Sequence, residues 1–204
     1  ERIAAGVCPH CGYMQGEQQD DPRYLPIGCM LHDRYIIGGV VGAGGFGITY
    51  KAWDAKYNVC KAIKEYFQQG VVNRIPGDTE VFVSAPKRQE EFEYGKERLL
   101  EEARIVAKFQ SSSIVRVDDF FEENGTSYMV MEFLDYETLE DYLIRQKRPL
   151  TEDEAVRIGV RLCEALDEIH HAGVVHRDIS PDNIFVSKEG GVKIIDFGSA
   201  RLSK

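Results

Sequence analysis

The sequence predicts an α+β fold, an antiparallel sheet carrying one helix followed by a helical segment that ends in short strands. Three observations carry this. β-Branched and aromatic runs separated by glycine turns extend from about residue 34 to 133. One helical stretch, about 90 to 109, interrupts them. A capping box at Thr151-Glu152-Asp153-Glu154 then opens an amphipathic run.

Arg34 to Val41 reads as the first strand and leads into Gly42-Ala43-Gly44-Gly45-Phe46-Gly47. Ile48 to Trp53 and Asn58 to Glu65 follow as strands. Val115 to Phe121 and Ser127 to Phe133 form a hairpin across Asn124-Gly125, a strong turn signal. After the capping box, Ile158, Leu162, Ala165, Leu166 and Ile169 share one helical face, and Gly173 supplies a C-terminal stop. Short strands at Ile184–Val186 and Val192–Ile195 flank a Lys188 to Gly191 turn. The chain divides into a leader (1–30), a strand-rich part (31–133) and a helical part (134–204).

The 204 residues are 43% hydrophobic and 29% charged, ordinary for a globular chain. A net charge of -9 argues against nucleic-acid or anionic-membrane partners, whose phosphates such a surface repels. It leaves room for a nucleotide, which a few local cations and backbone amides can hold. No run approaches the roughly 18 to 20 apolar residues that span a bilayer. Five scattered cysteines are not a disulfide framework, so a reducing cytoplasm is the expected location.

G-x-G-x-x-G serves both dinucleotide-binding and phosphate-covering loops, and context separates them. A dinucleotide fold opens a helix after the glycines. Here Ile48-Thr49-Tyr50-Lys51-Ala52-Trp53 reads as a strand, so the glycines sit in a hairpin whose bare backbone can close over phosphates. Lys61-Ala62-Ile63-Lys64 ends the third strand. Phosphate needs a fixed cation, and Lys64 needs a carboxylate to hold it. Glu102 shares a helical face with Leu99, Ala103 and Val106, whereas Glu101 is turned toward Arg98, Ile105 and Lys108. A carboxylate on an apolar face requires a partner, and Lys64 is the candidate. The alternative is a solvated surface glutamate. In His176-Arg177-Asp178-Ile179-Ser180-Pro181-Asp182-Asn183, Asp178 can accept a hydrogen bond from a substrate hydroxyl. Asn183 and Asp196, the latter in Asp196-Phe197-Gly198, offer the oxygen ligands that Mg²⁺ prefers.

These motifs together resemble those of eukaryotic-like serine/threonine protein kinases, and the chain looks most like the bacterial ones. GGFGITY, AIKEYF, HRDISPDN and IDFGSAR are similar to a bacterial group whose kinase domain follows a short CPHCG segment. The resemblance covers about residue 31 to the C-terminus. It implies a kinase-like fold, an antiparallel N-lobe with one regulatory helix, then a hinge, two helices, the catalytic loop and DFG of a partial C-lobe. It implies ATP and Mg²⁺ as cofactors and a protein Ser/Thr substrate. Gly42, Gly44, Gly45, Phe46 and Gly47 would cover the phosphates. Lys64 would contact them and pair with Glu102. Asp178 would be the catalytic base, with Asn183 and Asp196 on Mg²⁺. Met131 falls at the gatekeeper position, and Glu132 to Leu134 would form the hinge beside adenine. Val41, Ala62 and Phe185 would sandwich the ring. Val106, Val117, His176 and Phe197 would stack as an internal spine.

Four departures stand beside the resemblance. Ser180 occupies the place of a lysine that neutralises the transferring phosphate. Thr49 replaces the usual valine after the glycines. Lys64 and Glu102 are unusually far apart, which implies an insertion at about Tyr66 to Arg88 with a small hairpin around Thr79 to Ser84. It reads either as a passive loop or as an element that biases the regulatory helix. Finally, the chain ends at Lys204, shortly after Gly198. The expectation is a chain that holds Mg-ATP but phosphorylates protein weakly or not at all alone, with the apolar face of the 151–172 helix exposed. Arg177 suggests a switch by activation-loop phosphorylation. In the leader, Cys8-Pro9-His10-Cys11 has the knuckle spacing of a Zn²⁺ site, and Cys29 and His32 could complete four ligands; the alternative is a flexible leader. Three classes stay open: an active kinase, a nucleotide-binding pseudokinase or regulatory fragment, and a zinc-ribbon interaction module.

Overall fold

The computed structural model describes residues 21–188 and 190–202, which divide into two compact units. The leader motif at Cys8 and Cys11 lies outside the described residues. The first unit contains 21–103 and 117–133; the second contains 104–116 and 134–202.

The first unit is built on a six-stranded antiparallel sheet. In chain order its elements are β1 (Met30–Leu31), β2 (Tyr35–Ala43), β3 (Gly47–Asp54), β4 (Val59–Tyr66), β5 (Val72–Arg74), β6 (Val81–Val83), helix α1 (Gln89–Val106), β7 (Val117–Glu123) and β8 (Thr126–Glu132). The sheet order is β1-β2-β3-β4-β8-β7, and β5 and β6 form a separate hairpin. The alternation in β3 and β4 sorts side chains strictly by face. Ile48, Tyr50, Ala52 and Asp54, with Lys61, Ile63 and Glu65, are buried on one face. Thr49, Lys51, Ala62 and Lys64 share the other and are half-buried. Leu25 and Leu31, from the segment preceding β2, are fully buried. The β7–β8 turn places Asn124 at φ 50° and Gly125 at φ 71°, the left-handed pair that a two-residue hairpin needs.

The second unit comprises β9 (Glu137–Thr138), α2 (Leu139–Gln146), α3 (Glu152–His171), β10 (Val174–Val175), β11 (Ile184–Val186), β12 (Val192–Ile194) and β13 (Arg201–Leu202). The capping box is complete. Thr151 accepts from the Glu154 main chain, and the Glu154 carboxylate accepts from the Thr151 N–H. Arg148 and that cap hold the Glu154 carboxyl well below its usual range. Gly173 has φ 70° at the helix stop.

Three sequence expectations change. Helix α1 ends at Val106 rather than near 109, because Lys108 and Phe109 donate to Ile105 and Val106 in tight turns. The Glu168 carboxylate then accepts from the Gln110 and Ser111 N–H groups. Residues 104–116, expected with the strand-rich part, go with the second unit: Val115 donates to the Ile194 carbonyl and Ile194 to that of Ser113. The α3 face bearing Ile158 and Leu162 is not exposed. It packs on Leu139, Ile184, Val186 and Val192, and Ala165 and Ile169 are buried. On another side α3 does expose apolar side chains, among them Val156, Val160 and Cys163. Among the described residues, no helix is long and apolar enough to cross a membrane.

Candidate functional site

In the first unit, β2 and β3 carry the glycine hairpin. Gly42 lies opposite Thr49, and the Gly44 N–H donates to the Gly47 carbonyl at 2.9 Å. Two register shifts between Ile37 and Gly42 bend β2 toward the turn. Gly42, Gly44 and Gly45 border open space, and Phe46 at the tip and Val41 are exposed. Gly47 is different. A Cβ there would stand 2.8 Å from the Glu65 carbonyl oxygen, so the residue must be glycine for β3 and β4 to pair. The same Cβ position lies 3.9 Å from Lys64 Cγ, which puts the lysine stem beside the hairpin.

Lys64 Nζ lies 3.2 Å from Glu102 Oε1. The glutamate side chain is 7% exposed and the lysine 24% exposed. Glu101 points away and pairs with Arg98 at 2.6 Å. Ala62 is opposite Met131, and Lys61 is opposite Glu132. Ala62, Met131 and Glu132 are all half-buried.

In the second unit, the carboxylate loop is held by the Asn183 side chain as well as by main-chain bonds. Asn183 Nδ2 donates to Asp178 Oδ2 and to the Asp178 carbonyl, both at 3.1 Å. That leaves the Asn183 amide oxygen as a ligand. The Ile195 N–H donates to the Asn183 carbonyl at 3.0 Å, which ties this loop to Asp196. Arg177 and Asp196 both have left-handed backbone, φ 68° and 47°. Strain of this kind persists where surroundings over-determine it, as at functional loops. The Asp178 N–H donates to His176 Nδ1 at 3.3 Å, and the buried His176 ring meets Phe197 edge-on at 4.6 Å. Phe109 stands 5.7 Å from the other partner of that contact, Phe197. Burial lowers the His176 pKa, against Ile195, Asp196 and Asp178, which favour the charged ring. Asp178 and Asp196 are exposed, Ser180, Asn183, Phe185 and Leu134 half-buried.

The donor set fits Mg²⁺. One carboxylate (Asp196) and one amide oxygen (Asn183) are what an ion takes when it keeps waters and phosphate oxygens for its remaining positions. Zn²⁺ is another matter. Cys8 and Cys11 lie outside the described residues, and the His32 ring stacks on Phe121 at 4.5 Å. Among the described residues, no group of three or more His, Cys, Asp or Glu side chains could hold a metal ion.

Sequence reasoning missed a second charged cluster beside the first. Glu65, the neighbour of Lys64, forms an ion pair with Arg74 of β5, and both side chains are 0% exposed. The hydroxyls of Tyr50 and Tyr128 donate to Glu65, each at 2.9 Å. The only sequence signal is that Val72 and Arg74 share one face of a short strand.

A protein kinase domain model matches residues 35–204. The chain is 33% identical over 178 residues to a probable serine/threonine-protein kinase of Clostridium perfringens, covering 86% of this chain and 23% of that protein. It is 33% identical to the probable serine/threonine-protein kinase PknB of Lactococcus lactis, covering 87% of this chain and 25% of the relative. The solved structure titled PpkA-294 apo form superposes with a TM-score of 0.81 at 33% identity, over 87% of this chain and 62% of that one. The chain thus spans about a quarter of the length of these curated relatives. With the glycine hairpin, the Lys64–Glu102 pair and the Asp178–Asn183 loop in place, the chain belongs to the protein kinase domain family.

Proposed function

We propose that this domain binds Mg-ATP and that its protein transfers the γ-phosphate to serine or threonine hydroxyls of protein substrates. The observation that carries the reading is the Lys64–Glu102 pair, a cation held at 3.2 Å by a nearly buried carboxylate beside a glycine hairpin. Phosphoryl transfer asks a protein chiefly for positioning and charge neutralisation. The hairpin amides of Gly42 to Gly47 cover the phosphates, and Lys64 holds their charge. Val41, Ala62 and Met131 supply apolar surface for adenine, with main-chain groups of Glu132 and Phe133 for its polar edge. Asn183 and Asp196 would hold Mg²⁺, which supplies charge neutralisation on the phosphates. In the reaction the substrate hydroxyl oxygen bonds to the γ-phosphorus. The bond to the β–γ bridging oxygen breaks, ADP leaves, and Asp178 takes the hydroxyl proton. Asn183, bonded to Asp178 Oδ2, orients that carboxylate.

Labelled ATP and a generic protein substrate test the reading in the protein that carries this domain. The native protein should transfer label, and Asp178→Asn should lower the rate by about a hundredfold or more while Mg-ATP affinity is kept. One residue favours a second reading, a nucleotide-binding regulator: Ser180 stands where the resemblance expects a phosphate-neutralising lysine. Mg-ATP binding with no transfer above the Asp178→Asn level would select it. A zinc function for Cys8 and Cys11 is a separate proposal. Metal analysis of protein purified without chelator tests it, with zinc retained at about one per chain as the expected result.

A further inference from the structure

The stretch between β4 and α1 is a hairpin fastened at both ends. At one end Arg74 reaches the buried face of the sheet, where it pairs with Glu65. Its remaining donors go to main-chain oxygens: Nε to Thr79 at 3.1 Å, inside the hairpin, and Nη1 to Arg23, in the segment preceding β1. That preceding segment is itself tied to the sheet, because the Leu25 N–H donates to the Tyr50 hydroxyl at 3.1 Å. The guanidinium therefore joins three pieces of chain: β4, the β5–β6 hairpin and residues 21–25.

The other end grips the first half of α1. Gln68 Nε2 donates to Glu91 Oε1 at 2.7 Å, and Arg88 pairs with the same carboxylate at 2.8 Å. The Tyr66 hydroxyl donates to Gln68 at 3.0 Å, and its ring stacks on Phe92 at 5.3 Å. Gly95 completes the contact: a Cβ there would overlap the Tyr66 hydroxyl. Mid-helix glycine costs about 1 kcal/mol relative to alanine, so a close approach is the physical reason for it. Between the two ends, the Val81 N–H donates to the Asn124 carbonyl at 2.9 Å and the Ser84 N–H to that of Val71 at 2.9 Å.

We propose that residues 67–88 are a strap that fixes α1 against β4, so that Glu102 meets Lys64, and that Arg74 makes this hold depend on residues 21–25. Arg74, Gln68 and Glu91 are positioning residues. They touch no reacting group and act through the helix that carries Glu102. The leader thereby becomes an input to the nucleotide site: whatever draws residues 21–25 off the sheet removes an Arg74 acceptor and loosens α1. The functional consequence rests on the kinase reading above, but the mechanical coupling does not.

Hydrogen exchange read by mass spectrometry, on the chain with and without Mg-ATP, separates the two. Glu91→Ala cuts the half-exposed end of the strap. Exchange of α1 amides from Phe92 to Ala103 should rise about tenfold, with β2 to β4 unchanged. Arg74→Lys keeps a charge on Glu65 but cannot also reach Thr79 and Arg23. It should raise exchange in residues 21–25 and in α1 together, and weaken Mg-ATP binding less than it loosens the helix. If Arg74→Lys fails to fold, Glu91→Ala decides the strap, and Arg23→Pro, which disturbs the backbone whose carbonyl Arg74 uses, decides the leader coupling. Unchanged α1 exchange in folded Glu91→Ala would overturn the strap. Faster exchange at 21–25 with α1 at the native rate would overturn the coupling. Absence of Mg-ATP binding by the native chain would count against the kinase reading alone, because the exchange result stands without it.

Discussion

Lys64 and Glu65 are neighbours on one strand, and they meet opposite surroundings. Lys64 faces the half-buried side with Thr49 and Ala62; its ion pair with Glu102 measures 3.2 Å, and the lysine keeps about a quarter of its surface in solvent. Glu65 faces the closed side. It has no exposed surface and is satisfied by Arg74, Tyr50 and Tyr128. Burial pushes the Glu65 carboxyl upward, opposed by Arg74 and the two tyrosines, and burial and the Glu65 charge push both tyrosine hydroxyls upward. A one-residue step in a strand thus separates a pair open enough to receive a ligand from one that can only hold structure. A charged residue beside a candidate phosphate-binding lysine is easily taken for part of the site, when the period of two has assigned it to the other side.

The sharpest way to break this contrast is on the closed side. Arg74→Ala leaves the Glu65 carboxylate buried without its cation and should cost about 3–5 kcal/mol in denaturant unfolding, because an unpaired buried charge is far costlier than a lost surface pair. The closed side should also be chemically quiet. Burial pushes the Cys29 thiol up to about 11, so at pH 8 its thiolate is about a hundredfold scarcer than for an ordinary cysteine. Iodoacetamide mapping should find the exposed Cys163 modified long before Cys29. Gly95→Ala forces the Tyr66 ring out of place and should cost about 1–3 kcal/mol, partly offset by alanine's better helix propensity. The smallest effect lies in the second unit. His176 is held below its ordinary value of 6.5 by burial, so the unfolded chain takes up the proton first as pH falls. Its contribution is complete above pH 6.5 and is lost progressively below it. Unfolding midpoints measured at pH 7.5 and 5.5 should show this drop, and His176→Gln should flatten it.

How much of this was legible depended on range. The glycine hairpin, the Asn124-Gly125 turn, the Thr151 capping box and the strand Ile184–Val186 were written locally, in turn chemistry and period, and the structure has them where the sequence placed them. The choice of Glu102 over Glu101 followed from helix geometry alone. What escaped was set by distant partners. The two-residue strands Met30–Leu31, Val174–Val175 and Arg201–Leu202 exist only through their pairings. The hairpin expected around 79–84 proved to be β6 paired back to β5, with Arg74 at its turn end, and nothing in Val72-Asn73-Arg74 announces a buried guanidinium whose acid lies in β4. The cover of the α3 face escapes local reading for the same reason: the β11–β12 hairpin that packs on it comes later in the chain.

The contrast between the two sides of β4 is tested most directly by Lys64→Met, with Mg-ATP titration and denaturant unfolding run on the same preparation. The account predicts that nucleotide affinity falls about tenfold or more while the loss of stability stays well below that of Arg74→Ala, because the Lys64–Glu102 pair keeps contact with solvent through the lysine, a quarter of whose surface is exposed, whereas the Glu65–Arg74 pair has none. Native nucleotide affinity in Lys64→Met, or a loss of stability comparable to that of Arg74→Ala, would contradict it.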